Sequence, residues 1–153
     1  MPIAILRQDT KITSLDSTGK KIDFVNKAAE RLGLENVRGV CSRAEDFVSG
    51  CREAYDVSLG RAVSRLNVLS EICIPFVSVD GRFIAMKASK GEEEFLEAKN
   101  GIAKLGCELE KESEIQIASD KEKIERKIYC FKKIKNTPKE FPRNYSQITK
   151  KPL

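Results

Sequence analysis

The residue with the most chemistry to offer early in the chain is Asp16. The segment Ile12-Thr13-Ser14-Leu15 reads as a short apolar strand, and Asp16 sets a carboxylate where that strand stops. Ser17-Thr18-Gly19-Lys20-Lys21 then leads into an amphipathic helix. In open α/β sheets ligands sit beyond the carboxyl ends of parallel strands, where an acidic side chain can accept hydrogen bonds from ribose hydroxyls. Asp16 is therefore a candidate for holding a nucleoside. The same residues have a plainer use, because Asp16, Ser17 and Thr18 can cap the helix by occupying its free N–H groups. On this stretch alone the two readings stand level.

What is missing narrows the chemistry further. The 153 residues contain no histidine, which excludes Ser-His-Asp triads, His-Glu-x-x-His zinc sites and most imidazole proton shuttles. Five cysteines (Cys41, Cys51, Cys73, Cys107 and Cys130) are scattered, and none forms a Cys-x-x-Cys pair. They read as small buried apolar residues in a reducing compartment, with neither a disulfide framework nor a metal site. No apolar run approaches the roughly 20 residues needed to span a bilayer. Met1 to Leu6 lacks the length and basic start of a secretory signal. The chain is read as a cytoplasmic monomer, and its net charge of +5 favours an anionic partner.

The elements that must position Asp16 follow from hydrophobic spacing. Pro2 to Leu6 reads as the tail of an apolar helix, and Lys11 to Leu15 as a strand. The helix from about Lys20 places Ile22, Val25, Ala29 and Leu32 on one stripe and stops at Gly33. Asn36 to Cys41 is a second strand, from whose end Ser42 to Phe47 turns away. Tyr55 to Leu59 is a third strand, with Gly60-Arg61 at its carboxyl end. Leu66 to Ile74 is helical and ends at Pro75. Gly81 is expected to turn the chain into a strand over Arg82 to Lys87. A helix from about Gly91 buries Phe95, Ala98, Ile102 and Leu105. Two closing strands, near Glu112 to Ile117 and Lys127 to Lys132, are expected to pair antiparallel across a short polar turn. Strands alternating with helices and closed by a hairpin predict a doubly wound α/β sheet.

Charge divides the second half. Glu92, Glu93, Glu94 and Glu97 open a helix, where acids favour its dipole and read as a solvated face. From Lys121 onward bases dominate: Lys132, Lys133, Lys135, Lys139, Arg143, Lys150 and Lys151, interleaved with Phe131, Phe141 and Tyr145. Such a stretch suits a phosphate backbone with stacking on exposed bases, or is an ordinary solvated terminus. We expect two regions, residues 1–135 as the α/β domain and 136–153 as a basic, proline-containing tail.

The ordered set of signals resembles a known family. It runs Leu15-Asp16-Ser17-x-Gly19-Lys20-Lys21, then Leu34-Glu35-x-Val37, Ser42-Arg43-Ala44-Glu45 and Tyr55-Asp56-Val57. Arg61-Ala62-Val63 with Leu66 follows, then Gly81-Arg82-Phe83-Ile84-Ala85-Met86-Lys87, and last Thr137-Pro138-Lys139-x-Phe141-Pro142-Arg143. This string is similar to RsmG (GidB), the bacterial methyltransferase of guanine nitrogen 7 in 16S ribosomal RNA. The resemblance implies a Rossmann-like class I fold using S-adenosyl-L-methionine, with 16S rRNA or the small ribosomal subunit as partner. It also implies that Asp16 holds the cofactor ribose, that Ala44 and Glu45 lie at its adenine, and that Arg61 contacts the cofactor. Lys87, Lys139 and Arg143 are expected on the RNA side. From the residues themselves, Arg61 could equally be a surface or capping cation and Glu45 the start of a helical turn.

The chemistry agrees with the resemblance. Guanine nitrogen 7 carries a free lone pair and no proton, so attack on a sulfonium methyl needs alignment rather than a strong base. No catalytic residue is therefore assigned. Family members also have an upstream helical region, a first strand and a glycine-rich loop. The chain is accordingly expected to be N-terminally truncated, marginally stable alone and without measurable turnover. Two other functions stay open on the sequence: a non-catalytic rRNA-binding fragment, and a nucleotide-binding oxidoreductase. Against the latter, the chain has no Gly-x-Gly-x-x-Gly and no histidine.

Overall fold

The computed structural model describes residues 1–88, 91–118 and 123–153. The chain folds as two compact units, 1–47 and 48–153. The polar turn expected between the closing strands lies outside the described residues.

The first unit holds α1 (Pro2–Leu6), β1 (Ile12–Asp16), α2 (Gly19–Arg31), β2 (Val37–Cys41) and α3 (Ala44–Phe47). β1 and β2 pair in parallel, from Ile12 opposite Val37 to Asp16 opposite Cys41. The expected helical stripe is realised at Ile22 and Ala29, which are buried. Leu32 is not on it. That residue is the C-cap, off the helical path, and is 57% exposed, while Gly33 turns the chain with φ +63°. Two asparagines organise the unit. The Asn36 Nδ2 amide donates to the carbonyls of Ala4, Arg7 and Thr10 at 3.0–3.1 Å, and Asn26 Oδ1 accepts from Gly39 N at 2.9 Å.

The second unit contains β3 (Tyr55–Arg61), α4 (Leu66–Cys73), β4 (Val77–Lys87), α5 (Gly91–Lys104), β5 (Cys107–Ala118), β6 (Lys123–Lys133) and α6 (Tyr145–Lys150). Its sheet runs in the order β3-β4-β6-β5. β3 and β4 are parallel, and the other two pairs antiparallel. The core between this sheet and its helices includes Leu66, Leu69, Phe83, Ile102 and Phe131, with Phe83 stacked on Phe131 at 5.6 Å.

Several boundaries differ from the sequence reading. β4 begins at Val77 and carries Gly81 inside it, so the expected turn is an irregularity within a strand. Tyr55 pairs with Val77 but Val57 already with Arg82, and Asp80 takes φ +67°. The closing strands reach back to Cys107 and on to Lys133, because they pair with each other as far as Cys107 opposite Lys133. Of the cysteines, only Cys73 and Cys107 are buried, and Cys41 is exposed. Burial pushes the Cys73 and Cys107 thiols up to about 11 and about 12.

The basic C-terminal segment is bound into the second unit. The Arg52 guanidinium donates to the carbonyls of Phe141 (2.7 Å), Thr137 and Pro138 (both 2.9 Å). Glu53 accepts from Thr137 N at 2.7 Å. The fully buried Lys133 donates to Ile74 O at 3.2 Å and to the Thr137 hydroxyl. Burial lowers its pKa, against the opposing pull of Glu53. Arg143 grips Glu71 in a fork, Nε to Oε1 at 2.8 Å and Nη2 to Oε2 at 2.6 Å, and its backbone N–H adds a third bond. Glu71 is wholly buried. Removing one partner of such a pair strands a charge in low dielectric and costs about 3–5 kcal/mol. Arg143→Met is therefore expected to lower the urea-unfolding free energy by about that amount. A denaturation midpoint equal to the parent's would mean that Glu71 does not depend on Arg143.

Candidate functional site

In the first unit, three of the residues singled out from sequence lie at one end of one strand pair. Asp16 closes β1, its side chain 32% exposed. Its Oδ1 accepts from Thr18 N at 2.8 Å and its Oδ2 pairs with Lys21 Nζ at 3.0 Å. Lys21 first, and then the Thr18 N–H, hold the Asp16 carboxyl below its ordinary value, so it is an ionised acceptor. The capping reading is met in part. Thr18, the N-cap, makes no side-chain cap bond, and Asp16 satisfies the turn ahead of the helix. A carboxylate has about four lone-pair sites, so these two bonds leave acceptor capacity toward solvent.

The neighbouring strand delivers the next pair. Asp16 lies opposite Cys41, and Ser42 N donates to Asp16 O at 3.2 Å. Ala44 and Glu45 begin α3 three and four residues beyond Cys41. The Glu45 side chain is 13% exposed, 4.0 Å from Arg43. Asp16, Ala44 and Glu45 therefore share the carboxyl end of the β1–β2 pair. A cleft of about 190 Å³, lined by Gln8, Gly33, Leu34, Glu35 and Asn36, precedes these strands and lies at their other end.

In the second unit Arg61 is the last residue of β3, paired with Met86 and exposed. Just before it, Gly60 lets Leu69 of α4 press on the strand. A Cβ there would meet Leu69 side-chain carbons at 2.7–3.1 Å. After it Ala62 takes φ +54°, a conformation uncommon for a residue with a Cβ. Lys87 closes β4 but is only 8% exposed. Its Nζ pairs with Glu94 at 2.7 Å and donates to Ser64 O at 2.5 Å. Lys139 is exposed and lines a cleft of about 460 Å³ with Arg52, Glu53, Asn136 and Thr137. Arg143, expected on the RNA side, directs its guanidinium to Glu71.

Sequence reasoning missed Glu94, Glu71 and Arg52. Glu94 stands in a run of glutamates that reads as a solvated face, and nothing local separates it from Glu92 and Glu93. Only the packing of α5 on α4 does so. Among the described residues no group of three or more His, Cys, Asp or Glu could hold a metal ion. No helix there is long and apolar enough to cross a membrane.

Solved structures share this fold. A 16S rRNA (adenine(1408)-N(1))-methyltransferase from Catenulisporales acidiphilia superposes with TM-score 0.71 at 11% identity, covering 94% of this chain and 80% of that one. M. jannaschii TYW2 in complex with AdoMet gives 0.63 at 14% identity, over 82% and 59%. The fold is that of class I methyltransferases, as the sequence predicts. Among curated relatives, the ribosomal RNA small subunit methyltransferase G of Clostridium perfringens strain 13 is 44% identical over 155 residues. Its counterpart in Staphylococcus aureus strain Newman is 42% identical over 154. Each alignment takes in all of this chain and 64% of the relative's length. The family model described as rRNA small subunit methyltransferase G matches residues 1–128, and the chain belongs to that family, GidB.

Proposed function

We propose that this chain forms the cofactor- and RNA-facing part of a cytoplasmic, monomeric enzyme that methylates guanine nitrogen 7 of 16S rRNA using S-adenosyl-L-methionine. The observation that carries the reading is the ionised, partly exposed Asp16 at the carboxyl end of β1, beside Ala44 and Glu45, in a chain of this family. The residues fit the cofactor. Asp16 retains lone pairs for ribose hydroxyls, Ala44 and Glu45 border the space beyond β2, and Arg61 ends β3 exposed. When bound, S-adenosyl-L-methionine supplies an electrophilic methyl group on a sulfonium. The chain's task is then to hold and orient. Guanine nitrogen 7 is an unprotonated nucleophile, so no side chain has to remove a proton, and none is assigned a catalytic role.

For RNA, Lys139, Lys150 and Lys151 are exposed cations on the segment that Arg52, Glu53 and Arg143 hold in place. We assign Lys139 to phosphate binding and Arg143 to fixing the segment that carries it.

Calorimetric titration of the chain with S-adenosylmethionine, S-adenosylhomocysteine and NAD tests the cofactor. The first two are expected to bind and NAD is not. Asp16→Ala should weaken binding roughly ten- to a hundred-fold, the worth of one or two charged hydrogen bonds. An unchanged dissociation constant in a folded variant would leave Asp16 as a turn-forming residue only. For RNA, replacing Lys139, Lys150 and Lys151 by Gln should flatten the salt dependence of binding by about 0.7 in log–log slope for each phosphate no longer neutralised. Equal slopes would place the segment away from the RNA.

A further inference from the structure

The loop that follows Arg61 is gripped from below by a helix that the proposed reaction does not use. Lys87 Nζ donates to Ser64 O at 2.5 Å and pairs with Glu94 Oε2 at 2.7 Å. The same Glu94 oxygen accepts from Leu66 N at 2.8 Å, at the first residue of α4. One turn along α5, Glu97 Oε2 meets Arg65 Nη2 at 2.6 Å. Three of these bonds tie the loop between β3 and α4 to the end of β4 and the first turns of α5, and the fourth, Lys87 to Glu94, joins those two elements to each other. Their two halves differ in character. Arg65 and Glu97 are exposed, with side chains 57% and 43% accessible, and such a pair contributes little. Lys87 and Glu94 are 8% and 18% accessible, so their bonds act with little screening by water.

This loop needs holding. Ala62 sits at φ +54°, a conformation that the surroundings must impose on a residue with a Cβ. Leu66, whose N–H is clamped, is completely buried, so the loop's far end is fixed by packing and its middle by the Lys87–Glu94 pair. Arg61 sits immediately ahead, at the exposed end of β3.

We propose that Lys87 and Glu94 are positioning residues. They set the 62–65 loop, and through it the direction of Arg61, and Lys87 does not itself contact RNA. The function of the clamp rests on the reading that Arg61 faces the cofactor. The clamp itself does not.

Lys87→Met, Lys87→Arg, Glu94→Gln and Arg61→Ala versions of the chain would be followed by amide hydrogen exchange and cofactor titration. Lys87→Met is expected to speed exchange at Leu66, whose N–H Glu94 accepts, about tenfold or more, the loss of roughly one charge-assisted hydrogen bond. The interior of α5, from Ala98 to Ile102, should stay within about twofold, since that segment makes none of the removed bonds. S-adenosylmethionine affinity should fall by a factor similar to that for Arg61→Ala, with the salt slope of RNA binding unchanged. Lys87→Arg should restore both, and Glu94→Gln should lie between. Unchanged loop exchange in Lys87→Met overturns the clamp. A flatter RNA salt slope with normal loop exchange overturns it too, and makes Lys87 a phosphate ligand. If the parent chain binds no S-adenosylmethionine, the functional reading fails, and the exchange rates still decide whether the clamp exists.

Discussion

The second unit depends on one constraint: each strand N–H and C=O must find a partner, and among the described strands β3 has a neighbour on one side only. β3 pairs in parallel with β4, and among the described residues no strand pairs with its other edge. In the first unit, again among the described residues, β1 is likewise paired with β2 alone. Parallel strands are ordinarily buried on both faces. Here Val57 and Leu59 of β3 are 49% and 42% exposed, and no residue of β1 is fully buried. What holds β3 is thus the β4 ladder, α4 pressing on Gly60 through Leu69, and the clamp at its exit. The site inherits this arrangement, because Arg61 is the last residue of that strand.

The same economy governs the C-terminal segment. Residues 136–143 have no sheet or long helix of their own, so their backbone groups are satisfied by side chains reaching from elsewhere: Arg52 on three carbonyls, Glu53 on Thr137 N, Glu71 on Arg143 N. Of these side chains Glu71 is fully buried and Arg52 and Glu53 are partly so, and low dielectric makes such bonds strong when complete and costly when broken. A basic stretch that the sequence offers as a whole to RNA or to solvent therefore divides in two. Lys133 and Arg143 serve the fold, while Lys139, Lys150 and Lys151 face water.

Much of the fold was legible because local signals agreed with it. The 3.6-residue spacing of Ile22 and Ala29, Gly33 past the end of α2 and the antiparallel pairing of the two closing strands were each expected and are seen. The parts that were not legible depend on distant partners. Gly81 reads as a turn, yet β3 pairs with β4 on both sides of it, at Val77 and again from Arg82, so the strand continues past it with an irregularity. Asp16, Ala44 and Glu45 could be placed together because two parallel strands set their carboxyl ends side by side. Lys87 could be placed at a strand end but not at its depth, since Glu94, which takes its charge, lies in another element and looks from sequence like its exposed neighbours. A buried ion pair leaves no mark in either partner's local sequence.

The most direct test of the β3 constraint is residue-resolved amide exchange along β3, β4 and β6. In a parallel strand successive N–H groups point to alternate sides, so an edge strand has every second amide unpaired. The account predicts alternation of fast and slow exchange along Tyr55 to Arg61, with β4 and β6 slow from Phe83 to Ala85 and from Tyr129 to Phe131. Uniformly slow exchange along β3 would show its outer edge to be covered by another strand, and would contradict an account in which β4, α4 and the Lys87–Glu94 clamp hold Arg61 in place from the other side.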